Sequence, residues 1–174
     1  MNTDYVILVD GNDQQTGVCE KLEAHQKGLL HRAFSVFVFN KAGELLIHRR
    51  AESKYHSPGL WTNTCCSHPR PEESTLNAAK RRLNEEMGIT TPLEEVFAFE
   101  YRADFDNGLI EHEYDHVLFG WSDDLPTINH DEVAEYRYLP VGEIAEWMNR
   151  EPEAFTVWFR ICFPNVLDAL RKVA

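Results

Sequence analysis

One stretch of the sequence, residues 61–89, contains a thiol, an imidazole and two adjacent carboxylates. Cys66 and His68 are two residues apart, and Glu85 and Glu86 follow near the end of a predicted helix. Thiols, imidazoles and carboxylates are side chains that hold divalent metal ions and transfer protons. The stretch therefore predicts a metal site that also holds a cysteine.

The helix is predicted over residues 74–87, because Ser74 is a favoured N-cap and Gly88 is a favoured residue just past a helix end. Glu85 and Glu86 fall in its last turn, where the helix dipole disfavours carboxylates unless a cation offsets them. A metal ion is one such cation. Ion pairs with the arginines four residues earlier, Arg81 and Arg82, explain the pair equally well.

Glu111 and Glu113 lie on a predicted strand, where a spacing of two places both on one face. Such pairs are usually solvated, but three histidines, His25, His31 and His68, are candidate partners on a shared ion. Imidazole with carboxylate suits zinc or manganese, whereas carboxylate and water suit magnesium. The other histidines are interpreted as packing or surface residues: His48, His56, His112, His116 and His130.

Cys66 is also a candidate acid or base, because neighbouring charge can shift the pKa of a thiol. A buried, inert cysteine is the alternative. If this stretch is extended, Cys65 points the opposite way, so at most one of the two thiols faces the site.

The charge of the chain limits its partners. A formal net charge of -12 argues against nucleic acid, which binds basic surfaces. An anionic ligand needs a local group of cations, although most single Lys and Arg side chains are solvated. Cations close to apolar stretches are Lys21, Arg49, Arg50, Lys54, Arg81 and Arg82.

The length of 174 residues and the hydrophobic content of 43% predict a single domain over residues 1–174. No apolar run approaches the roughly 20 residues that span a bilayer, and the N-terminal segment lacks a signal-type pattern. We therefore expect a cytoplasmic protein without a membrane partner, whose four cysteines stay reduced. No obligate protein partner is evident, and the oligomeric state is not predicted.

Apolar periodicity predicts an α/β sandwich, a mixed and partly antiparallel sheet flanked by helices. Turn residues at 40–43 and 106–108 predict tight hairpins. Strands are predicted at residues 5–9, 33–40, 44–49, 96–105, 112–121 and 135–139. Besides the helix at 74–87, helices are predicted at 141–149 and over much of 153–172.

From Ser67 onward the spacing resembles the Nudix box, G-x(5)-E-x(7)-R-E-U-x-E-E-x-G-U, in which U is apolar. Ser67 replaces the first glycine, and Arg82 replaces the first glutamate of the R-E-U-x-E-E core. One carboxylate that Nudix hydrolases use to hold magnesium is therefore missing. The matching positions are Glu73, Arg81, Leu83, Glu85, Glu86, Gly88 and Ile89.

Segments over nearly the whole chain resemble the type 1 isopentenyl diphosphate isomerases. In order, they are EKLEAH, LHRAFSVFVFN, RRAESK, PGLWTNTCCSHP, EYRA, IEHE and AFTVWF. The most specific combination is WTN-x-x-C-x-H-P, then a degenerate Nudix helix, then E-x-E. The resemblance implies a Nudix-type fold and an isomerase of isoprenoid biosynthesis. Such an enzyme interconverts isopentenyl and dimethylallyl diphosphate by protonation and deprotonation through a tertiary carbocation.

The same resemblance implies roles for individual residues. Cys66 and Glu113 would transfer protons on opposite faces of the substrate, Tyr101 would orient or relay a proton, and Trp158 would shield the carbocation. Glu86 would contact a Mg²⁺ that bridges the diphosphate oxygens. One Mn²⁺, Zn²⁺ or Mg²⁺ would be held by His25, His31, His68, Glu111 and Glu113. The diphosphate would be bound by Lys21, Arg50, Lys54 and Arg82.

Two other functions remain open. A divergent Nudix hydrolase acting on a nucleoside diphosphate derivative would use the helix glutamates to activate water, and Arg82 counts against it. A catalytically idle metal-binding or regulatory module would bind ligands without turnover. The reaction product separates these hypotheses, because only an isomerase leaves the diphosphate intact and moves a double bond.

Overall fold

The computed structural model describes residues 4–173. Within that range the helices are α1 (Lys21–Lys27), α2 (Thr75–Met87), α3 (Val141–Arg150) and α4 (Val157–Val173). The strands are β1 (Tyr5–Val9), β2 (Gln15–Glu20), β3 (His31–Phe39), β4 (Glu44–Arg50), β5 (Trp61–Thr62), β6 (Cys65–Ser67), β7 (Glu94–Asp104), β8 (Ile110–Trp121) and β9 (Val133–Pro140). None of these helices is long and apolar enough to cross a membrane.

Strand β3 is the centre of the sheet. It pairs in parallel with β8 from His31↔Glu113 to Phe39↔Trp121. Its other edge pairs antiparallel with β1, then β6, then β4. Strand β7 pairs antiparallel with β8, and β9 pairs antiparallel with β4. The sheet is therefore mixed, as predicted.

Helices cover both faces of the sheet and bury two apolar cores. Because side chains alternate along a strand, Phe34 and Val36 of β3 join one core while Phe37 joins the other. The first core includes Leu83 of α2, and the second includes Phe159 of α4. This arrangement confirms the predicted α/β sandwich.

The predicted ends of α2 are confirmed. The Ser74 hydroxyl accepts a hydrogen bond of 3.2 Å from the backbone N–H of Asn77. Gly88 ends the helix in the left-handed region, with φ of 64°. A Cβ at Gly88 would lie 2.9 Å from the Cβ of Thr127, so both the backbone conformation and the space favour glycine.

Several elements differ from the prediction. The last helix begins at Val157, after a short 3₁₀ turn at Pro152–Ala154. The sequence predicted no element over residues 15–27, where β2 and α1 lie. Strand β2 is largely exposed, and α1 has only seven residues, so neither shows a clear apolar period. Strands β5 and β6, of two and three residues, were also not predicted.

Candidate active site

A cavity of about 480 Å³ brings together most of the predicted functional residues. Ten of them line it: Lys21, Arg50, Lys54, Cys66, His68, Arg82, Glu86, Glu111, Glu113 and Trp158. Three others, His25, His31 and Tyr101, are buried and lie next to Glu111 or Glu113 of the lining. Segments that are far apart in sequence therefore converge on one cavity.

Strand register creates the centre of this site. His31 of β3 and Tyr101 of β7 are the partners of Glu113 on the two sides of β8. The Tyr101 hydroxyl lies 2.6 Å from Oε2 of Glu111 and is also hydrogen-bonded to Glu113. A phenol has one proton, so Tyr101 can donate to only one carboxylate at a time. Burial and the two negative charges raise the pKa of Tyr101 well above its usual value, which keeps the hydroxyl protonated.

The backbone fixes the ring orientation of two histidines. Nδ1 of His25 lies 2.7 Å from the carbonyl oxygen of Lys21, and Nδ1 of His31 lies 2.8 Å from that of Leu29. A carbonyl only accepts, so each Nδ1 carries the proton and donates it. In the neutral rings each Nε2 then presents a lone pair, and neither Nε2 has a hydrogen-bond partner within residues 4–173.

Glu113 lies between two imidazoles. Its Oε2 is 2.7 Å from Nε2 of His68 and 3.4 Å from Nε2 of His31. Burial alone would raise the pKa of Glu113, but the two imidazoles hold it well below its usual value. Burial lowers the pKa of His68 to about 4 and also lowers that of His25. Burial also acts to lower the pKa of His31, but the combined hydrogen bond and charge of Glu113 outweigh it, so the pKa of His31 is raised.

These donors fit a divalent metal ion. One ligand atom each from His25, His31 and His68 lies within 4.8 Å of the others. The two buried Nε2 atoms without partners need a cation or a donor, and the adjacent carboxylates supply negative charge. Nitrogen and oxygen donors together suit borderline ions such as zinc or manganese. We call His25, His31, His68, Glu111 and Glu113 the histidine cluster.

The Cys66 thiol lies in a polar network that the sequence analysis did not identify. Its Sγ donates to Oδ1 of Asn63 at 2.9 Å and lies 3.5 Å from the Ser35 hydroxyl. That hydroxyl donates to Oδ2 of Asp115 at 2.8 Å. Burial raises the pKa of Cys66, so the thiol is protonated. Burial and the charge of Glu113 also raise the pKa of Asp115 well above its usual value.

Two features of the sequence could have predicted this network. Asp115 continues the spacing of two that links Glu111 and Glu113, so it shares their strand face. Ser35 is the one hydroxyl inside the apolar strand β3, where it pairs with Cys66 of β6. Both residues are buried. A buried polar side chain in a strand has to find a hydrogen-bond partner, which is the physical basis of the signal.

Cys65 points away from the cavity, as the extended conformation predicts. Its thiol donates to Oε2 of Glu86 at 2.7 Å, and Arg82 donates to Oε1 at 2.8 Å. Burial raises the pKa of Glu86. Each carboxylate oxygen has two lone pairs, so Glu86 can still accept a metal bond beside these partners. Both predicted ion pairs are also present, Arg81 with Glu85 and Arg82 with Glu86.

Four basic residues, Lys21, Arg50, Lys54 and Arg82, form what we call the cation cluster along the cavity. Lys54 lies 2.7 Å and Arg82 lies 3.4 Å from Glu132, which holds the two cations close together. The buried Nε atoms of Arg50 and Arg82 have no hydrogen-bond partner in the part of the chain that the structure describes. N–H groups without acceptors favour an anionic ligand.

Two contacts between a cation and an aromatic ring lie in the cavity wall. Trp158, which is buried at the start of α4, lies beside the guanidinium of Arg50, with 5.1 Å from Cζ to the ring centroid. Lys21 lies over the ring of Tyr55 at 5.7 Å. The walls thus combine positive charge with aromatic faces, which suits a ligand with an anionic and an apolar end.

The sequence predicted a packing or surface position for His56, and the structure shows this packed residue in the wall of the cavity. His56 lines the cavity, is 8% exposed, and places Nε2 3.1 Å from Oε1 of Glu111. The sequence carried no usable signal, because His56 lies in the loop between β4 and β5, where periodicity says nothing about orientation.

Comparison with known proteins shows which protein family this chain resembles. The NUDIX domain family matches residues 29–159. The chain is 56% identical to the isopentenyl-diphosphate Delta-isomerase of Pectobacterium atrosepticum, over 94% of this chain and 91% of that protein. It is 54% identical to the isopentenyl-diphosphate Delta-isomerase of Burkholderia multivorans, over 88% of both chains.

Solved structures agree on the fold. A MutT protein of Methanosarcina mazei Go1 superposes with a TM-score of 0.64 at 20% identity, covering 78% of this chain and 91% of that one. A Nudix hydrolase of M. smegmatis gives a TM-score of 0.59 at 14% identity, covering 99% and 98%. At such identities the likeness concerns the fold alone. The fold, the family match and the curated relatives together show that this chain belongs to the NUDIX family and, within it, to the isopentenyl-diphosphate Delta-isomerases.

Proposed function

We propose that the cavity binds isopentenyl diphosphate and interconverts it with dimethylallyl diphosphate. One observation carries this proposal: the half-buried thiol of Cys66 and the buried carboxylate of Glu113 line the same cavity as a group of basic side chains. Moving a double bond needs one proton donor and one proton acceptor. The basic side chains supply the charge that holds a diphosphate.

The cation cluster is the proposed diphosphate site. Nε of Arg50 and Nε of Arg82 provide buried N–H groups that a phosphate oxygen can accept from, and Lys21 and Lys54 add charge. Arg82 occupies the position at which the hydrolytic Nudix box has a glutamate. A Mg²⁺ bound at Glu86 would neutralise further charge on the diphosphate oxygens.

Cys66 and Glu113 are the proposed proton-transfer groups. In the forward direction one gives a proton to the terminal methylene carbon, and the π electrons form the new C–H bond. The other takes a proton from the methylene group next to the carbinol carbon, and those C–H electrons form the new double bond. The groups exchange roles in the reverse direction. Ser35 and Asn63 orient the thiol, since both lie within hydrogen-bond reach of Sγ.

Tyr101 and Trp158 complete the proposed site. Because the Tyr101 hydroxyl contacts both Glu111 and Glu113, it can pass a proton between them or hold Glu113 in place. The face of Trp158 would stabilise a tertiary carbocation and keep water from capturing it. A divalent ion, Mn²⁺, Zn²⁺ or Mg²⁺, in the histidine cluster would supply positive charge that lowers the pKa of its ligands.

Hydrolysis of a nucleoside diphosphate derivative is the competing function. It would need the glutamates of α2 to bind magnesium and activate water. Arg82 stands where the hydrolytic box has one of those glutamates, so one magnesium ligand is missing, which disfavours that use. A regulatory module without turnover would not need the hydrogen-bonded thiol of Cys66 in its cavity.

The deciding experiment is proton NMR of the purified chain with isopentenyl diphosphate and Mg²⁺ in deuterated buffer. We expect loss of the vinyl signals, growth of the dimethylallyl signals and deuterium in the product, because the transferred protons exchange with solvent. A metal-loaded, folded sample that leaves the substrate unchanged but releases phosphate from nucleotides would contradict the isomerase and support the hydrolase.

A further inference from the structure

Thr62 of β5 connects the thiol of Cys66 to the start of α4 through hydrogen bonds between side chains. Thr62 lines the cavity and is buried, as are Asn63 and Thr156. The Thr62 hydroxyl lies 3.0 Å from Oδ1 of Asn63 and 2.9 Å from the hydroxyl of Thr156. Oδ1 of Asn63 in turn lies 2.9 Å from Sγ of Cys66. We call these four residues, Thr156, Thr62, Asn63 and Cys66, the threonine network.

The amide of Asn63 can adopt only one orientation in this network. Its Nδ2 donates to the carbonyl oxygens of Val36 and Cys65, at 3.0 and 3.1 Å, which uses both amide protons. Oδ1 therefore faces Thr62 and Cys66, and its two lone pairs accept one hydrogen bond from each. The fold thus fixes the oxygen that accepts from the thiol.

The hydroxyl protons of the two threonines have a single order. Oδ1 of Asn63 can only accept, so the one proton of the Thr62 hydroxyl points towards it. The contact between the two hydroxyls must then have Thr156 as its donor and Thr62 as its acceptor. Both protons are used inside the network, so neither hydroxyl has a proton left to give to a substrate.

Thr156 is also the point at which α4 is joined to the sheet. It directly precedes the helix, and its backbone N–H donates to the carbonyl oxygen of Trp61 at 3.0 Å. The neighbouring Phe155 forms a parallel bridge to the same residue of β5. Trp158 follows two residues after Thr156, in the first turn of α4. The position of Trp158 in the cavity wall therefore depends on how β5 holds Thr156.

We propose that Thr62 and Thr156 are positioning residues that hold the thiol of Cys66 and the indole of Trp158 at a fixed separation. This inference rests on the proposed function, in which the thiol transfers a proton and the indole faces the carbocation. Both groups act on the same few carbon atoms, so a small displacement of one relative to the other slows the chemical step. The diphosphate is held by the cation cluster, so substrate affinity should change little.

Steady-state kinetics of paired substitutions tests this role. Thr62→Val removes the hydroxyl and keeps the branched shape, whereas Thr62→Ser keeps the hydroxyl. We expect Thr62→Val to lower kcat about 10- to 100-fold and to change KM less than about twofold. Thr62→Ser should keep kcat within about threefold of the wild type, because the network stays intact.

Thr156 provides a double-mutant cycle. Thr156→Val should lower kcat less than Thr62→Val, because the bond from Thr62 to Asn63 remains. Thr156→Ser should restore kcat. In a Thr62→Val background, Thr156→Val should cause no further loss, since the bond between the hydroxyls is already absent. Thr91→Val is the control, because that hydroxyl donates to a backbone carbonyl outside the cavity.

NMR of the ¹⁵N-labelled indole N–H groups gives a readout that does not need turnover. The signal of Trp158 is assigned by its absence in Trp158→Phe. It should shift in Thr62→Val, because the start of α4 loses one attachment to β5. It should keep its wild-type position in Thr62→Ser.

A folded Thr62→Val variant with wild-type kcat, or with an unshifted Trp158 signal, would overturn the proposal. Additive losses in the double variant would also overturn it, because the two threonines would then act separately. A wild type that shows the expected shifts but does not isomerise the substrate would overturn the proposed function and leave the link between Thr62 and Trp158 standing. If Thr62→Val does not fold, the comparison of Thr156→Val with Thr156→Ser decides the question.

Discussion

The histidine cluster and the cation cluster meet at one cavity but leave opposite kinds of atoms unpaired. Among residues 4–173, the histidine cluster leaves Nε2 of His25 and of His31 without partners. Their anchored Nδ1 atoms make these nitrogens lone-pair donors in the neutral rings. The cation cluster leaves Nε–H of Arg50 and of Arg82 without acceptors. A lone pair needs a cation and an N–H group needs an anion, so one end of the cavity suits a metal ion and the other suits an anion.

The two clusters also differ in how their acids are used. In the histidine cluster the carboxylates share a single phenol proton from Tyr101 and face imidazoles. In the cation cluster Glu132 holds Lys54 and Arg82 together. Glu132 thus holds two positive charges close together in the cation cluster. Glu111 and Glu113 are instead candidate metal ligands in the histidine cluster. This division explains how a chain with a net charge of -12 can hold an anionic substrate.

The largest expected effect comes from the groups between the two ends. Cys66→Ala and Glu113→Gln should each lower kcat by about 10³-fold or more, because each removes a group that transfers a proton. Steady-state conversion of isopentenyl diphosphate measures this. Cys65→Ser is the matched control, since Cys65 does not line the cavity and a serine can still donate to Glu86. A Cys66→Ala variant with wild-type kcat would remove Cys66 from the mechanism.

Thermal unfolding of two variants can test whether the two clusters bind their ligands independently. At 100 times its Kd, Mn²⁺ should stabilise the wild type by about 2.7 kcal/mol, and inorganic diphosphate with Mg²⁺ should stabilise it likewise. His31→Gln should lose most of the Mn²⁺ effect and keep the diphosphate effect, and Arg82→Gln should show the reverse. If either variant loses both effects, the clusters do not bind their ligands independently.

Arg82→Glu should weaken substrate binding more than it harms folding. It removes a charged donor to the diphosphate, worth about 1.5 to 3 kcal/mol, so KM should rise about 10- to 100-fold. Lys80→Gln, on the exposed face of α2, is the control for a change of helix charge. An unchanged KM for Arg82→Glu would show that the arginine serves only its ion pairs with Glu85, Glu86 and Glu132.

His48 lines the same cavity but belongs to neither cluster, and its effect should be the smallest. Nδ1 donates to the carbonyl of Thr64 at 3.0 Å, and burial lowers the pKa to about 3. The unfolded chain binds a proton there below pH 6.5, so stability falls as the pH drops from about 6.5 towards 3. Between pH 7 and pH 5 this group should cost about 2 kcal/mol.

Chemical denaturation at both pH values tests this. Between pH 7 and pH 5, the free energy of unfolding of His48→Gln should fall by about 2 kcal/mol less than that of the wild type. The variant lacks the titrating ring. His130→Gln, at an exposed position, should follow the wild type. Equal losses in His48→Gln and the wild type would mean that His48 titrates normally in the folded protein.

Much of the fold was predictable because it depends on local periodicity. The cap and the end of α2 are short-range features, and the structure has both at the predicted residues. The elements that were not predicted, such as α1, are short and stabilised by tertiary contacts. Helix α1 buries His25 completely, yet its seven residues have too few apolar positions to show a helical period.

The sequence by itself determined the face-sharing of Glu111, Glu113 and Asp115, the opposite directions of Cys65 and Cys66, and the capped helix that carries Glu86. These follow from the periods of strand and helix. Only the tertiary structure decided which residues meet: His31 and Tyr101 on either side of Glu113, the Ser35 hydroxyl beside the Cys66 thiol, and His56 at Glu111. Strand register and loop path depend on contacts between segments that are distant in sequence, and the period of one strand does not specify which strand it pairs with.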